Sequence, residues 1–218
     1  MKVVQNLAPS SKYSIKCPYP MVAEFIVVHN TANDATAANE VAYMIRNDNK
    51  VSFHYAVDDK EIVQGIPDNR NAWHAGDGAS GPGNRKGIGI EICFSKSGGK
   101  RFEEAEKLAA KFIAYKLYEK GWGIDKVKKH QDFSGKYCPH RTLDMGWQRF
   151  LDMVKSELDK LKGADKVTDK NTPSSWAKEA WEWAKKEGIT DGTRPKDTMT
   201  REEMVTMLHR YHKQVAQK

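Results

Sequence analysis

Apolar positions along the chain follow two periods. Phe25 to Val28 form a short run rich in β-branched residues that turns polar at His29, the pattern of a buried strand ending in a loop. "VSFHYAVDDKEIVQGIP" predicts two strands around an Asp-Asp-Lys turn. In "KGIGIEICFS", Ile88, Ile90, Ile92 and Phe94 alternate with Gly89, Glu91 and Cys93, so one side of this predicted strand is wholly apolar and Glu91 points to the other. Glu91 is then either a solvated carboxylate or part of a second, packed or ligand-bearing side. Its small neighbours Gly89 and Cys93 are unlike the residues of a wet face and favour the second reading.

Between these strands the period lengthens to that of helices. Asp34 is placed to cap a helix over "ATAANEVAYMIRN", where Val41, Met44 and Ile45 share a face. "FEEAEKLAAKFIAYKLYEKG" predicts another, with Leu108, Phe112 and Tyr115 in register and Gly121 as its stop. A further helix is expected from about Met145 to Leu161, with Trp147, Phe150, Leu151, Val154, Leu158 and Leu161 as its stripe. Strands separated by helices imply an α/β (α+β) fold, a mixed central β-sheet flanked by helices, over residues 1–162. Residues 163–172 lose periodicity and read as a linker. Residues 173–218 then predict a small helical module of two helices, the second opened by the capping pair Thr200 and Glu203. So short a unit cannot easily bury its three tryptophans alone, so it should dock, repeat or self-associate.

Composition narrows the possibilities. No apolar stretch approaches the length of a membrane span, and the first twenty residues lack the apolar core and small-residue cleavage site of a secretory signal. The formal charge of +7 is shared by both parts of the chain. Such a balance suits an anionic polymer, but no arginine-rich tract or RNA-recognition signature points to nucleic acid. The three cysteines, Cys17, Cys93 and Cys138, are odd in number and widely spaced, which argues against a disulfide framework.

Candidate chemistry gathers in "HQDFSGKYCPH", His130 to His140. A cysteine in such a loop is an oddly placed core residue, a nucleophile or a metal ligand. Taken with His29 at the end of its strand, His130 and Cys138 supply two imidazoles and one thiolate, the three-ligand pattern of a catalytic zinc that leaves a fourth position to water. Neither a CxxC pair nor an HExxH helix accompanies them. As a nucleophile, Cys138 would instead use His130 or His140 as its base.

The ordered blocks "FIVVHNTA", "NAWHAG", "GNRKGIGIEIC" and "KHQDFSGKYCPHR" resemble the type 2 N-acetylmuramoyl-L-alanine amidases, zinc amidases of phage endolysins and bacterial autolysins that share their fold with peptidoglycan recognition proteins. The resemblance covers roughly residues 20 to 145. It implies Zn²⁺ on His29, His130 and Cys138, Glu91 as the catalytic carboxylate, Lys136 near the developing oxyanion, and a groove lined by Trp73, His74 and Asn84. It implies cleavage between N-acetylmuramic acid and L-alanine of peptidoglycan. Some relatives carry an assisting tyrosine where this chain has Phe53, so the glutamate-dependent variant is the better match. Relatives that only bind the wall usually lack the cysteine ligand, which this chain keeps. His140 is expected to cap its loop.

The tail is similar to a single S-layer homology motif, with "WAKEAWEWAKKEGITDGTRPKDTMTREEMVTMLHR" as the matching stretch. That resemblance implies binding to a secondary cell-wall polymer, or assembly of the tail into a homo-oligomer. Together these readings predict an enzyme made in the cytoplasm without a signal peptide and acting at the bacterial cell wall, in the manner of a phage or prophage lysin.

Overall fold

The computed structural model describes residues 1–167, 172–174 and 176–214. It divides into two compact units, Met1–Lys162 and Gly163–Lys218. In the first, six strands form one sheet: β1 Val4–Gln5, β2 Phe25–Asn30, β3 Tyr55–Val57, β4 Ile62–Gln64, β5 Gly87–Ile92 and β6 Val127–Lys129. Their order is β1-β4-β3-β5-β2-β6, and every neighbouring pair is parallel except the β3–β4 hairpin. The helices of this unit are α1 Tyr13–Lys16, α2 Ala37–Arg46, α3 Pro82–Lys86, α4 Gly99–Glu119, α5 Gln131–Ser134, α6 His140–Asp144 and α7 Trp147–Val167. This is the mixed α/β architecture that the alternating periods predict.

The two faces of the sheet have different work. Ile26, Val28, Tyr55, Ile88, Ile90 and Ile92 lie on one face, buried in a core with Phe102, Phe112, Ile113 and Leu117 of α4 and Phe150, Val154 and Leu158 of α7. Tyr55 meets Phe112 ring to ring, which puts α4 on that side. The opposite face carries the residues in between: in β2 and β5, Val27 pairs with Gly89 and His29 with Glu91. Side chains paired across parallel strands point the same way, so His29 and Glu91 are neighbours on the second face. Each is the penultimate residue of its strand, and His130 follows directly on β6. The carboxyl ends of the parallel strands, where ligands of open α/β sheets usually bind, therefore bring these three residues to one rim.

Two local expectations change. Thr36, not Asp34, caps α2: its hydroxyl accepts from Asn39 N–H at 3.3 Å, while Asp34 accepts from the backbone and hydroxyl of Ser97. A cap must sit at the residue where the chain enters the helix, and Asp34 lies two positions too early. Helix α7 runs to Val167, five residues into the segment read as a linker; residues 168–171 lie outside the described part. Sequence periodicity also passes over β1, β6, α1, α3, α5 and α6, which are too short to establish a period.

In the second unit, α8 Lys178–Lys186 and α9 Arg201–Gln214 are the two helices. The capping pair of α9 is reciprocal: Glu203 N–H donates to Thr200 Oγ1 at 3.1 Å and Thr200 N–H to Glu203 Oε2 at 2.8 Å. Ile189 alone is buried among the described residues of this unit, and Trp183 meets Tyr211 edge to face.

Candidate active site

His29 stands at the centre of a cluster at the sheet's rim. Its Nδ1 lies 3.0 Å from His130 Nδ1 and 3.9 Å from Cys138 Sγ, and all three residues are buried. Among the described residues, His29, His130 and Cys138 form the one cluster of such groups close enough to share a metal ion. Tetrahedral zinc, with Zn–N near 2.1 Å and Zn–S near 2.3 Å, sets its ligand atoms roughly 3.4 and 3.6 Å apart. These two spacings differ from those values by a few tenths of an ångström, and all three ligand atoms lie within 4.8 Å of one another, so the set is of a size to hold zinc.

The loop that brings Cys138 to the histidines is tied at both ends. His130 N–H donates to Val28 O, extending the β2–β6 ladder, and Gln131 N–H donates to Cys138 O at 3.0 Å. Gly135, with φ of 75°, ends α5 in the left-handed conformation and turns the chain back. Beyond the cysteine, buried Asn30 holds α6 to β2: its Oδ1 accepts from the N–H groups of Arg141 and Thr142, and its Nδ2 donates to His29 O. The backbone N–H groups of Asn30 and His140 also face the sulfur and favour its thiolate, while burial and Glu91 push the metal-free thiol up to about 11. His140 thus acts here through its backbone.

Glu91 lies beside this cluster. Its Oε2 is buried with no hydrogen-bond partner. Burial, and then the charge of Glu40, push its carboxyl up to about 8, with Lys136 pulling the other way. Lys136 itself is exposed, and its charge reaches His29, His130 and Cys138 as well. Glu40, on α2, is a residue that sequence reading missed. Its own carboxyl is raised by burial and its Oε1 also lacks a partner. Spacing gave no signal for it, because α2 packs on β3 and β4 and the charge of Glu40 reaches Glu91 only through that tertiary placement.

Of the three residues expected to line the groove, His74 touches His29 and Asn84 holds the backbone of His74. His74 is buried, with Nδ1 3.0 Å from His29 Nε2 and Nε2 3.1 Å from Gly87 O; burial pushes its pKa down to about 3. Asn84 is buried, and its Oδ1 accepts from the N–H groups of His74 and Ala75 at 2.8 Å each, fixing the backbone that carries His74. Trp73 donates its indole N–H to Ile15 O and meets Tyr19 edge to face. Phe53 is a core residue with no hydroxyl to offer.

Comparison with known proteins agrees with this geometry. Residues 19–141 match the family described as N-acetylmuramoyl-L-alanine amidase. The chain is 53% identical over 216 residues to the N-acetylmuramoyl-L-alanine amidase CwlA of Bacillus subtilis (strain 168), covering 96% of this chain and 78% of that protein. It is 57% identical over 175 residues to XlyB, an amidase of the same name and strain, covering 80% of this chain and 55% of XlyB. Among solved structures, PlyL superposes with a TM-score of 0.70 at 53% identity, over 72% of this chain and 99% of PlyL. The chain belongs to the N-acetylmuramoyl-L-alanine amidase family of enzymes.

Proposed function

We propose that this chain is a zinc-dependent peptidoglycan hydrolase that cleaves the amide between the lactyl group of N-acetylmuramic acid and L-alanine, as an endolysin or autolysin does at the cell wall. The observation that carries the reading is the convergence of His29 Nδ1, His130 Nδ1 and Cys138 Sγ beside a carboxylate whose Oε2 is buried and unpartnered. Two neutral imidazoles and a thiolate are the donor set that suits zinc. A raised thiol pKa is the opposite of what an activated cysteine nucleophile needs, which speaks against Cys138 attacking the substrate itself.

Zinc held by these residues would acidify a coordinated water, from about 15.7 toward roughly 7, and polarise the scissile carbonyl. Glu91 is the base of the reaction: its carboxylate takes the proton of the attacking water and returns it to the departing amine nitrogen of L-alanine. A carboxyl raised toward neutrality is suited to both halves of that exchange. Lys136 donates to the oxyanion that develops on the carbonyl oxygen. Phe53 leaves the proton work to Glu91. The second unit, as a single S-layer-homology-like module, is proposed to hold the enzyme to a secondary wall polymer or to a second copy, supported by the exposed Trp176 and Leu208.

Digestion of purified peptidoglycan by metal-loaded protein, by its Glu91→Gln variant and by a chelated control, read by mass spectrometry, tests this. Free stem peptides that begin with L-alanine, lost in both controls and restored by zinc, are the expected products. Wall binding without cleavage would return the chain to the recognition proteins, and activity that survives chelation would discard the metal.

A further inference from the structure

A histidine can serve a metal only through a nitrogen that carries no proton, so what fixes the His29 tautomer matters. The Gly87 carbonyl can only accept, so the ring nitrogen 3.1 Å from it, Nε2 of His74, must be the protonated one. A neutral imidazole has a single N–H, which leaves His74 Nδ1 as an acceptor. His29 Nε2 lies 3.0 Å from that acceptor and must therefore bring its own proton. The remaining nitrogen of His29, Nδ1, is left bare, and it is the atom that faces His130 and Cys138. The backbone of Ala75 faces the His130 ring and favours a proton on it, so the same bare state is open to His130 Nδ1 when the far nitrogen carries that proton. Two bare lone pairs 3.0 Å apart repel unless a cation lies between them.

We propose that His74 is a positioning residue: together with the Gly87 carbonyl it forms a two-step hydrogen-bond relay that holds His29 in its Nε2–H tautomer and aims Nδ1 at the metal. The relay rests on the metal reading above. A carbonyl or carboxylate usually orients a ligating histidine directly; here the carbonyl lies one ring further back, and a second histidine carries its polarity forward. The space for that ring is built in. A side chain at Gly89 would place its first carbon 2.7 Å from His74 Cγ, so only glycine there admits the imidazole. The T-shaped contact of the His29 and His74 rings, at 5.0 Å between centroids, follows from the same placement.

Nitrogen NMR of the metal-free, full-length protein with labelled histidine reads the tautomers directly, because protonated and bare ring nitrogens have distinct shifts. His54 is an internal control: its Nδ1 accepts from Gly89 N–H and its Nε2 meets Arg70 O, so its tautomer is fixed without His74. In the wild type, His29 should show a protonated Nε2 and a bare Nδ1. In His74→Leu it should show a mixture, with the zinc dissociation constant, measured by chelator competition, raised roughly 10- to 100-fold. His74→Asn, whose amide oxygen can accept from His29, should return most of that loss. A wild-type His29 protonated on Nδ1, or His74→Leu with unchanged tautomer and zinc affinity, would overturn the relay. If His54 shows that His74→Leu is misfolded, Gly89→Ala, which keeps His74 but displaces its ring, takes its place. Failure of the wild type to bind zinc would sink the metal reading alone, since the tautomers are read without metal.

Discussion

Gly89 and His74 occupy one space: the imidazole packs where a side chain on β5 would otherwise stand, with only 2.7 Å between His74 Cγ and the position of an added methyl. Gly89→Ala should therefore force the ring off Gly87 O and His29. Overpacking of this kind costs about 1–3 kcal/mol, a fall in melting temperature of about 2–12 °C for a domain of this size. A thermal melt with a parallel zinc titration checks it; an unchanged melt and affinity would mean that the ring has room to spare.

Replacing Glu91 by Gln removes the proposed proton carrier and keeps the shape of the site. Turnover of peptidoglycan should fall by about 10²- to 10⁴-fold, with zinc content unchanged by elemental analysis. With Lys136 in its proposed role at the oxyanion, Lys136→Ala should cost on the order of 10²-fold. A Glu91→Gln protein that retains most of its turnover would show that another group moves the proton.

Acid should destabilise the metal-free protein through its buried histidines. Burial holds His29, His54, His74 and His130 below the usual imidazole range, His74 at about 3. Below about pH 6.5 the unfolded chain takes up protons that these rings refuse. The stability they contribute is present above that pH and is lost as pH falls through their folded values. Urea titrations between pH 6.5 and 4 should show the decline, and His74→Asn should make it shallower by about one proton, or roughly 1.4 kcal/mol per pH unit. An equal slope in both proteins would contradict the assignment.

Arg149 on α7 reaches Glu106 on α4 at 2.6 Å, and Glu106 is almost wholly buried with Oε1 unpartnered. Arg149→Ala should destabilise by about 2–4 kcal/mol, because it strands a buried charge. The pair Glu106→Leu with Arg149→Met should recover most of that loss, since removing both charges also removes the cost of burying them. Denaturant titration of the three proteins tests this; a double variant no better than the single one would place the loss in packing.

The placement of much of the candidate site was legible because its residues sit at positions that a one-dimensional pattern can mark. Alternation in "KGIGIE" put Glu91 on the face away from the isoleucines, and the break after Val28 put His29 at a strand end. The glycine two residues before Glu91 carried more information than that reading took from it: its empty side is where His74 goes. His74 was expected near the site from its motif, which does not say which way it faces; the structure packs it against His29. Glu40 and Asn30 left no trace, since one reaches the site from a helix whose docking is a matter of tertiary packing and the other works through backbone hydrogen bonds. In α4 the buried stripe is Phe102, Ala105, Ala109, Phe112, Ile113 and Leu117, turned from the expected Leu108, Phe112 and Tyr115. Alanines fill the close approach of a helix to a sheet, and a search for bulky residues passes over them.

His29 and His130 are 101 residues apart along the chain, and Cys138 lies 109 from His29. The β2–β6 pairing must already exist before these atoms can meet, and closing so long a loop is among the slowest and costliest steps a chain takes. In the proposed metal site, His130 and Cys138 are close enough in sequence to meet in the unfolded chain, but His29 joins them only once the sheet has formed, so a metal held by all three binds the folded chain. Zinc added to a refolding mixture should therefore slow unfolding and leave the rate of folding where it was, so that the ion acts as a lock on a finished structure.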